Sequence, residues 1–519
     1  GDRVVAFLPN IPEATVAFLA TCALGGVWSS CSPDFGLDSV LDRFRQIEPR
    51  VLVAVDGYQY NGKSYDRTEV LERLCEELPS LERIVFIPYL GEGAVPDHIK
   101  NLVPWSKVME TPARELVFEP VAFDHPIWVL YSSGTTGIPK AITHAHGGVL
   151  LEHYKYLAFH NDVKPGERFF WFSTTGWMMW NFVQASLLMG ATIVLYDGSP
   201  AYPDLDVLWK LTEEAGIHHF GTSAPFLVAC MKKGLRPGYD FDLTSLRSIG
   251  STGAPLPPEA FDWVYREVKR DCWLCSMSGG TDVCTAFVGG CPERPVYEGE
   301  IQCRCLGCAL YAYDEDGQPV REQVGEMVIT QPMPSMPVYF WGDDRKKRYR
   351  ESYFDHYPGI WRHGDWVEIT KRDTLVIYGR SDATLNRQGV RIGTSEIYRA
   401  LHRIEEIEDS LIVNLEMGGG DHYMPLFVVP AEEAQLDEEL KGKIKLALRS
   451  QYSPRHVPDE IIEVEEIPYT LSGKKLEAPV KRILMGMPLD KAANPDSMKN
   501  PDSLEFFLRF AEKIQKDRR

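Results

Sequence analysis

Short apolar runs alternate with stretches whose apolar residues recur at helical spacing, and this rhythm organises most of the 519-residue chain. Gly1–Leu8 reads as a strand, Pro12–Ala23 as a helix with one apolar face, and Val51–Val55 as another strand. The alternation continues through Glu213–Ala224 and Leu246–Val268, a pattern of α/β architecture with substantial parallel sheet. From Glu300 to Trp366 strand and turn signals dominate, with Asp314–Gly317 as a hairpin candidate. A boundary is expected near Gly379–Asp382. Beyond it the spacing predicts helix Ser395–Arg403, strands Ser410–Leu415 and Pro425–Val429, helix Asp437–Gln451 and strand Glu460–Val464. A last helix, Pro501–Lys516, sets Leu504, Phe507, Leu508, Ala511 and Ile514 on one face. The expected domains are 1–380, 381–487 and a C-terminal helical extension, 488–519. The fold class expected is α/β, with a large N-terminal domain of parallel and mixed sheets, a β-rich subdomain, and a small α+β C-terminal domain.

Composition narrows the function. Apolar residues make up 44% of the chain and charged residues 25%, as in ordinary globular proteins. The net charge of −19 argues against nucleic acid or an anionic membrane surface as the main partner. No apolar run reaches the length of a membrane-spanning helix, the best candidate, Ala185–Tyr196, reading as a core helix that runs into a strand. Eleven cysteines do not suggest a disulfide scaffold and point to a reducing, cytosolic setting. Cys272/Cys275 and Cys305/Cys308 have zinc-ribbon spacing, but Cys272–Cys275 lies in an apolar segment without the turn a zinc knuckle uses.

The chemistry begins at Tyr131–Lys140, a strand that runs into hydroxyls, glycines and a lysine. Gly134 and Gly137 allow tight turning, and consecutive N–H groups with Ser132, Ser133, Thr135, Thr136 and Lys140 make an anion-binding concavity. Its spacing is not that of a P-loop. Further pieces follow in order: Gly250–Leu256, a glycine-rich turn between strand and helix; Ser278–Asp282, presenting a hydroxyl and an acid; His363–Asp365 at a strand boundary; Tyr378–Asp382; Asn386–Arg391; and Tyr469–Lys474, a turn bearing a lysine.

That order resembles the adenylate-forming superfamily of acyl-CoA synthetases, from Gly1 to about Met485, and within it the acetyl-CoA synthetase-like enzymes. Further sequence upstream of Gly1 is usual in the superfamily, so a piece of the large domain is expected to precede it. The resemblance implies ATP and CoA as co-substrates with Mg²⁺, and a C-terminal domain that moves as a lid. By motif, Ser132, Ser133, Gly134, Thr135, Thr136, Gly137 and Lys140 would hold the ATP phosphates, and Gly253, Ala254 and Pro255 would line the adenine. Thr281 would touch the α-phosphate, and Asp282 would hold Mg²⁺ where most relatives carry Glu. Asp365 and Arg380 match ribose contacts, Arg391 a phosphate contact, Asp382 the hinge, and Gly389 the CoA passage. Lys474 matches the catalytic lysine. Trp177, Met178, Met179 and Gly279 would line the acyl pocket. Gly279 stands where acetate-specific enzymes carry tryptophan, so the expected pocket is widened to a four-carbon acid such as acetoacetate, used for lipid synthesis. Butyrate is the alternative substrate, and an inactive synthetase-like interaction protein the alternative class. No nucleic acid, membrane span or obligate protein partner is implied.

Overall fold

The computed structural model describes residues 1–519 except 92–95, 97, 133–138, 315, 382–384, 388, 389, 393, 419, 420, 452–455, 472, 518 and 519. The chain divides into two compact units. The first comprises 1–252, 258–309 and 330–360, and the second 253–257, 310–329 and 361–519. The sequence boundary at 380 therefore differs from this division. Val324–Ile329, Trp361–Ile369 and Leu375–Arg380 are neighbours in one antiparallel sheet, which holds them together against the order of the chain.

The first unit carries an eight-stranded sheet in the order Tyr339–Phe340, Lys140–Ala145, Pro126–Ser132, Val27–Cys31, Arg3–Phe7, Val51–Val55, Arg83–Ile87, Leu102–Pro104. The pairs among the last six are parallel, and their strands are nearly continuous apolar runs because helices such as Pro12–Ala23 cover them. A second, wholly parallel sheet orders Thr192–Val194, Arg168–Trp171, His219–Ser223, Ser248–Thr252 and Trp273–Ser276. Phe18, Trp28, Trp128 and Trp180 meet edge-on, tilted or stacked at 5.5 to 6.0 Å inside the unit.

In the second unit an antiparallel sheet of five strands runs from Pro319–Val320 to Leu375–Arg380, and Tyr313 pairs with Pro319 across the expected hairpin. Ile407–Ile412, Pro425–Pro430 and Glu460–Glu463 form a three-stranded sheet. Helices Thr394–Leu401 and Glu438–Gln451 contribute Ile397, Leu401, Ile444 and Leu448 to one core. Its other core receives the final helix, Leu504–Asp517, through Leu504, Phe507, Phe510, Ala511 and Ile514. Phe507 lies 4.8 Å from Phe427, edge-on. The extension is thus part of this unit's interior.

Candidate active site

Strand Pro126–Ser132 pairs antiparallel with Lys140–Ala145, and Ser132 stands directly across from Lys140. The two ends of the glycine-rich loop are therefore fixed by sheet pairing. Ser133, Gly134, Thr135, Thr136 and Gly137 lie outside the described residues. The Ser132 hydroxyl is shielded from solvent and has no hydrogen-bond partner among the described residues, an unmet donor at the mouth of the loop.

Lys140 Nζ lies 3.2 Å from Asp282 Oδ1 and 5.0 Å from the centroid of the Tyr353 ring. Tyr353, buried at the end of helix Lys347–Tyr353, donates its hydroxyl to the same Asp282 oxygen. Burial and that carboxylate push the phenol well above its ordinary pKa, so it remains a donor. Three segments distant in sequence thus converge on one carboxylate. Two buried histidines hold the backbone beside it. His144 Nε2 donates to the Asp282 carbonyl at 2.9 Å while its Nδ1 accepts from Trp128 at 3.2 Å, which sets the tautomer. His153 Nε2 donates to the Cys284 carbonyl at 2.5 Å. Burial depresses both rings to about 4, so both are neutral donors. Cys284 itself adopts φ 50°, in the left-handed region, inside this pinned turn.

A single carboxylate beside a phosphate-binding loop is an ordinary partial ligand set for Mg²⁺, which completes its shell with water and substrate phosphates. Asp282 fits that role by chemistry, although its Oδ1 already accepts from Lys140 and Tyr353. Among the described residues no group of three or more His, Cys, Asp or Glu side chains is placed to hold a metal, and all eleven cysteines are free thiols. Burial raises Cys272 and Cys308 to about 12, so both are protonated thiols.

Gly279 requires a correction. It pairs with Ala286 in an antiparallel ribbon, and a Cβ added there would sit 2.0 Å from the Thr285 carbonyl oxygen and 2.5 Å from the Ala286 Cα. The space expected beside it is filled by backbone, so glycine is demanded by strand approach and does not itself open a pocket. Trp177 caps the helix Met178–Ala185 and is half-buried, whereas Met178 and Met179 are buried. Strand Ser248–Thr252 runs into Gly253, whose φ of 87° needs glycine, and Gly253, Ala254 and Pro255 are exposed. Thr281 is half-buried in the turn before Cys284, whose N–H bonds the Thr281 carbonyl.

In the second unit Asp365 and Arg380 face each other across paired strands, with Arg380 Nη1 3.3 Å from Asp365 Oδ1. Asp365 lies within strand Trp361–Ile369 and not at its boundary. Gly364, at φ 88°, makes room for the guanidinium, since a Cβ there would lie 2.9 Å from Arg380 Nη2. Ser381 Oγ bonds the buried Glu326, which also holds Arg362 at 3.0 Å. Asp382 and Gly389 lie outside the described residues, as does the side chain of Arg391, whose backbone pairs with Asn386. Lys474 is exposed on a turn closed by Thr470 N–H to the Lys474 carbonyl at 2.8 Å and Lys474 N–H to Thr470 Oγ1 at 2.9 Å, with Gly473 at φ 77°.

Sequence reasoning missed Tyr353, His144 and His153. His144 shares a mostly apolar strand with Ala141, Ile142 and Ala145, which was the one local hint. Tyr353 carried none.

A lysine-closed loop between antiparallel strands, a paired acid, and a second α/β unit with its own exposed lysine fit the motif order that resembles the AMP-forming ligases of carboxylic acids. Residues 1–340 match the AMP-binding enzyme family, and the chain belongs to it. It is 45% identical over 509 residues to the acetoacetyl-coenzyme A synthetase of Rhizobium meliloti (strain 1021), covering 98% of this chain and 77% of that protein. The solved acetoacetyl-CoA synthetase from Streptomyces lividans superposes with a TM-score of 0.93 at 52% identity, over 99% of this chain and 78% of that one. The anthranilate CoA ligase AuaEII, solved with anthranoyl-AMP, shares the fold at a TM-score of 0.77 and 18% identity, over 92% of this chain and 86% of that one.

Proposed function

We propose that the chain activates acetoacetate with ATP to acetoacetyl-AMP and pyrophosphate, then transfers the acyl group to CoA, releasing AMP, in the cytosol. The observation that carries the chemistry is the convergence of Lys140, Asp282 and Tyr353 at the fixed end of the glycine-rich loop. The acyl specificity is supported by the relatives, which carry that activity in their names across nearly this whole chain.

A carboxylate cannot acylate a thiol directly, because oxide is too poor a leaving group. Its oxygen attacks the α-phosphorus, the bond to the bridging oxygen breaks, and pyrophosphate leaves with the electron pair. The crowding of negative charge needs fixed positive charge and donors, supplied here by Lys140, Lys474 and loop N–H groups. Mg²⁺, held by Asp282, would neutralise phosphate charge when bound. Thr281 contacts the α-phosphate, Asp365 and Arg380 the ribose, and Gly253–Pro255 the adenine face. Lys474 bridges carboxylate and α-phosphate during adenylation alone. Thiol attack on the acyl carbon then displaces AMP, and for this step residues 381–487 turn about Asp382, bringing Gly389 to the pantetheine chain. Trp177, Met178 and Met179 line the acyl group.

The test is Lys474→Ala. Acid-dependent ATP–pyrophosphate exchange is expected to fall by at least two orders of magnitude, while thioester formation from supplied acetoacetyl-AMP persists. Loss of both or of neither would refute the assignment. A parallel panel of acetate, acetoacetate, butyrate and 3-hydroxybutyrate reads the acyl preference, and better turnover of butyrate would move the substrate.

A further inference from the structure

The turn that bears Lys474 is fastened from one side by residues 494–500 of the C-terminal extension. Lys499 N–H donates to the Tyr469 carbonyl at 3.0 Å, Leu471 N–H donates to the Ser497 carbonyl at 3.1 Å, and Thr470 forms a β-bridge with Met498. The Asn500 amide completes the attachment. Its Oδ1 accepts from Tyr469 N–H at 3.0 Å, and its Nδ2 donates to the Ile467 carbonyl and to Glu466, each at 2.8 Å. Both backbone groups of Tyr469 are thereby satisfied by the extension.

The segment 494–500 is itself held at both ends. Asn494 Oδ1 accepts from Asp496 N–H at 3.0 Å, and Ser497 Oγ bonds the Asn494 carbonyl at 2.8 Å. Met498 is buried, and Ser503 Oγ bonds the Asn500 carbonyl at 2.6 Å just before the final helix enters the core through Leu504 and Phe507. The opposite side of the turn rests on a half-buried ion pair. Lys475 Nζ and Tyr469 Oη each reach Asp409 at 2.7 Å, and Lys475 sits 4.1 Å over the Tyr398 ring.

We propose that residues 494–500 act as a strap that sets the position of Lys474, with Asn500 as its positioning residue. The inference rests on the adenylation role given to Lys474. An ammonium that must bridge two reacting groups gains its effect from a fixed base, and a turn closed only by its own Thr470–Lys474 hydrogen bonds is held less firmly than one also fastened to a neighbouring segment. Because Lys474 serves only the first half-reaction, a residue acting through its turn shares that selectivity. A residue that merely stabilises the unit would not.

The experiment uses the full chain with Asn500→Ala, which removes every amide contact, Asn500→Asp, which keeps the acceptor for Tyr469 N–H, and Lys474→Ala in parallel. Asn500→Ala is expected to lower the kcat of acetoacetate-dependent pyrophosphate exchange about tenfold, with Asn500→Asp between it and the unaltered chain. Thioester formation from supplied acetoacetyl-AMP stays within about twofold in both. If both half-reactions fall together in both Asn500 variants, or neither falls, the strap is overturned. If Lys474→Ala itself spares exchange, the failure belongs to the proposed role of Lys474. If Lys474→Ala loses exchange while Asn500→Ala does not, the strap alone fails.

Discussion

Tyr353→Phe isolates one atom of the candidate site. The ring keeps its aromatic neighbours, Phe340 at 5.8 Å, Tyr349 at 5.3 Å and Phe354 at 6.4 Å, and the Lys140 ammonium stays over its face. Only the hydroxyl bonded to Asp282 is lost. A hydrogen bond to a charged group contributes about 1.5–3 kcal/mol, and about 1.4 kcal/mol corresponds to tenfold. If the bond keeps the carboxylate placed for adenylation, kcat/KM for ATP in pyrophosphate exchange should fall roughly tenfold to a hundredfold. The melting temperature should stay near that of the unaltered chain. Asp282→Asn and the double variant complete a cycle. A hydroxyl that acts through Asp282 should cost little once Asp282 is amidated, giving a coupling near the single-variant effect. Normal exchange in Tyr353→Phe, or strict additivity with Asp282→Asn, would refute the reasoning.

Two further outcomes concern stability. Gly279→Ala drives a Cβ into the Thr285 carbonyl and the Ala286 Cα, so a loss of about 1–3 kcal/mol or more is expected in urea unfolding, and unchanged stability would restore the idea of open space there. His153 is depressed from 6.5 to about 4 by burial, so the unfolded chain takes up its proton first, and the ring's contribution is full above 6.5 and lost as pH falls from 6.5 towards 4. At pH 5 the cost is about 2 kcal/mol for this ring, and His153→Gln should flatten the stability profile between pH 6.5 and 5; an unaltered profile would show that the ring is not the titrating group.

Much of the architecture was legible along the chain. Helix Pro12–Ala23 and strand Val51–Val55 occur with the bounds the periodicity sets, because each is a local segment whose apolar face or run suffices to define it. The final helix buries Leu504, Phe507, Ala511 and Ile514 of the face read from its spacing, with Phe510 added and Leu508 only half-buried. Asp365 and Arg380, given one nucleotide-binding role by resemblance, stand opposite each other in register.

What no local pattern contained is which distant groups share an atom. Tyr353 reaches Asp282 from 71 positions away, and Asn500 reaches Tyr469 from 31. Nothing in either residue's neighbours announces this, since a hydrogen bond across the chain depends on sheet order and helix packing. Gly279 shows the reverse error. Its missing side chain reads as vacant space in one dimension, but in three the adjoining strand occupies that space. Local propensity and periodicity determined the elements and the order of the chemical motifs. Tertiary packing decided which backbone filled each gap and which buried donors hold the acid and the lysine, because those contacts exist only once the sheets have closed.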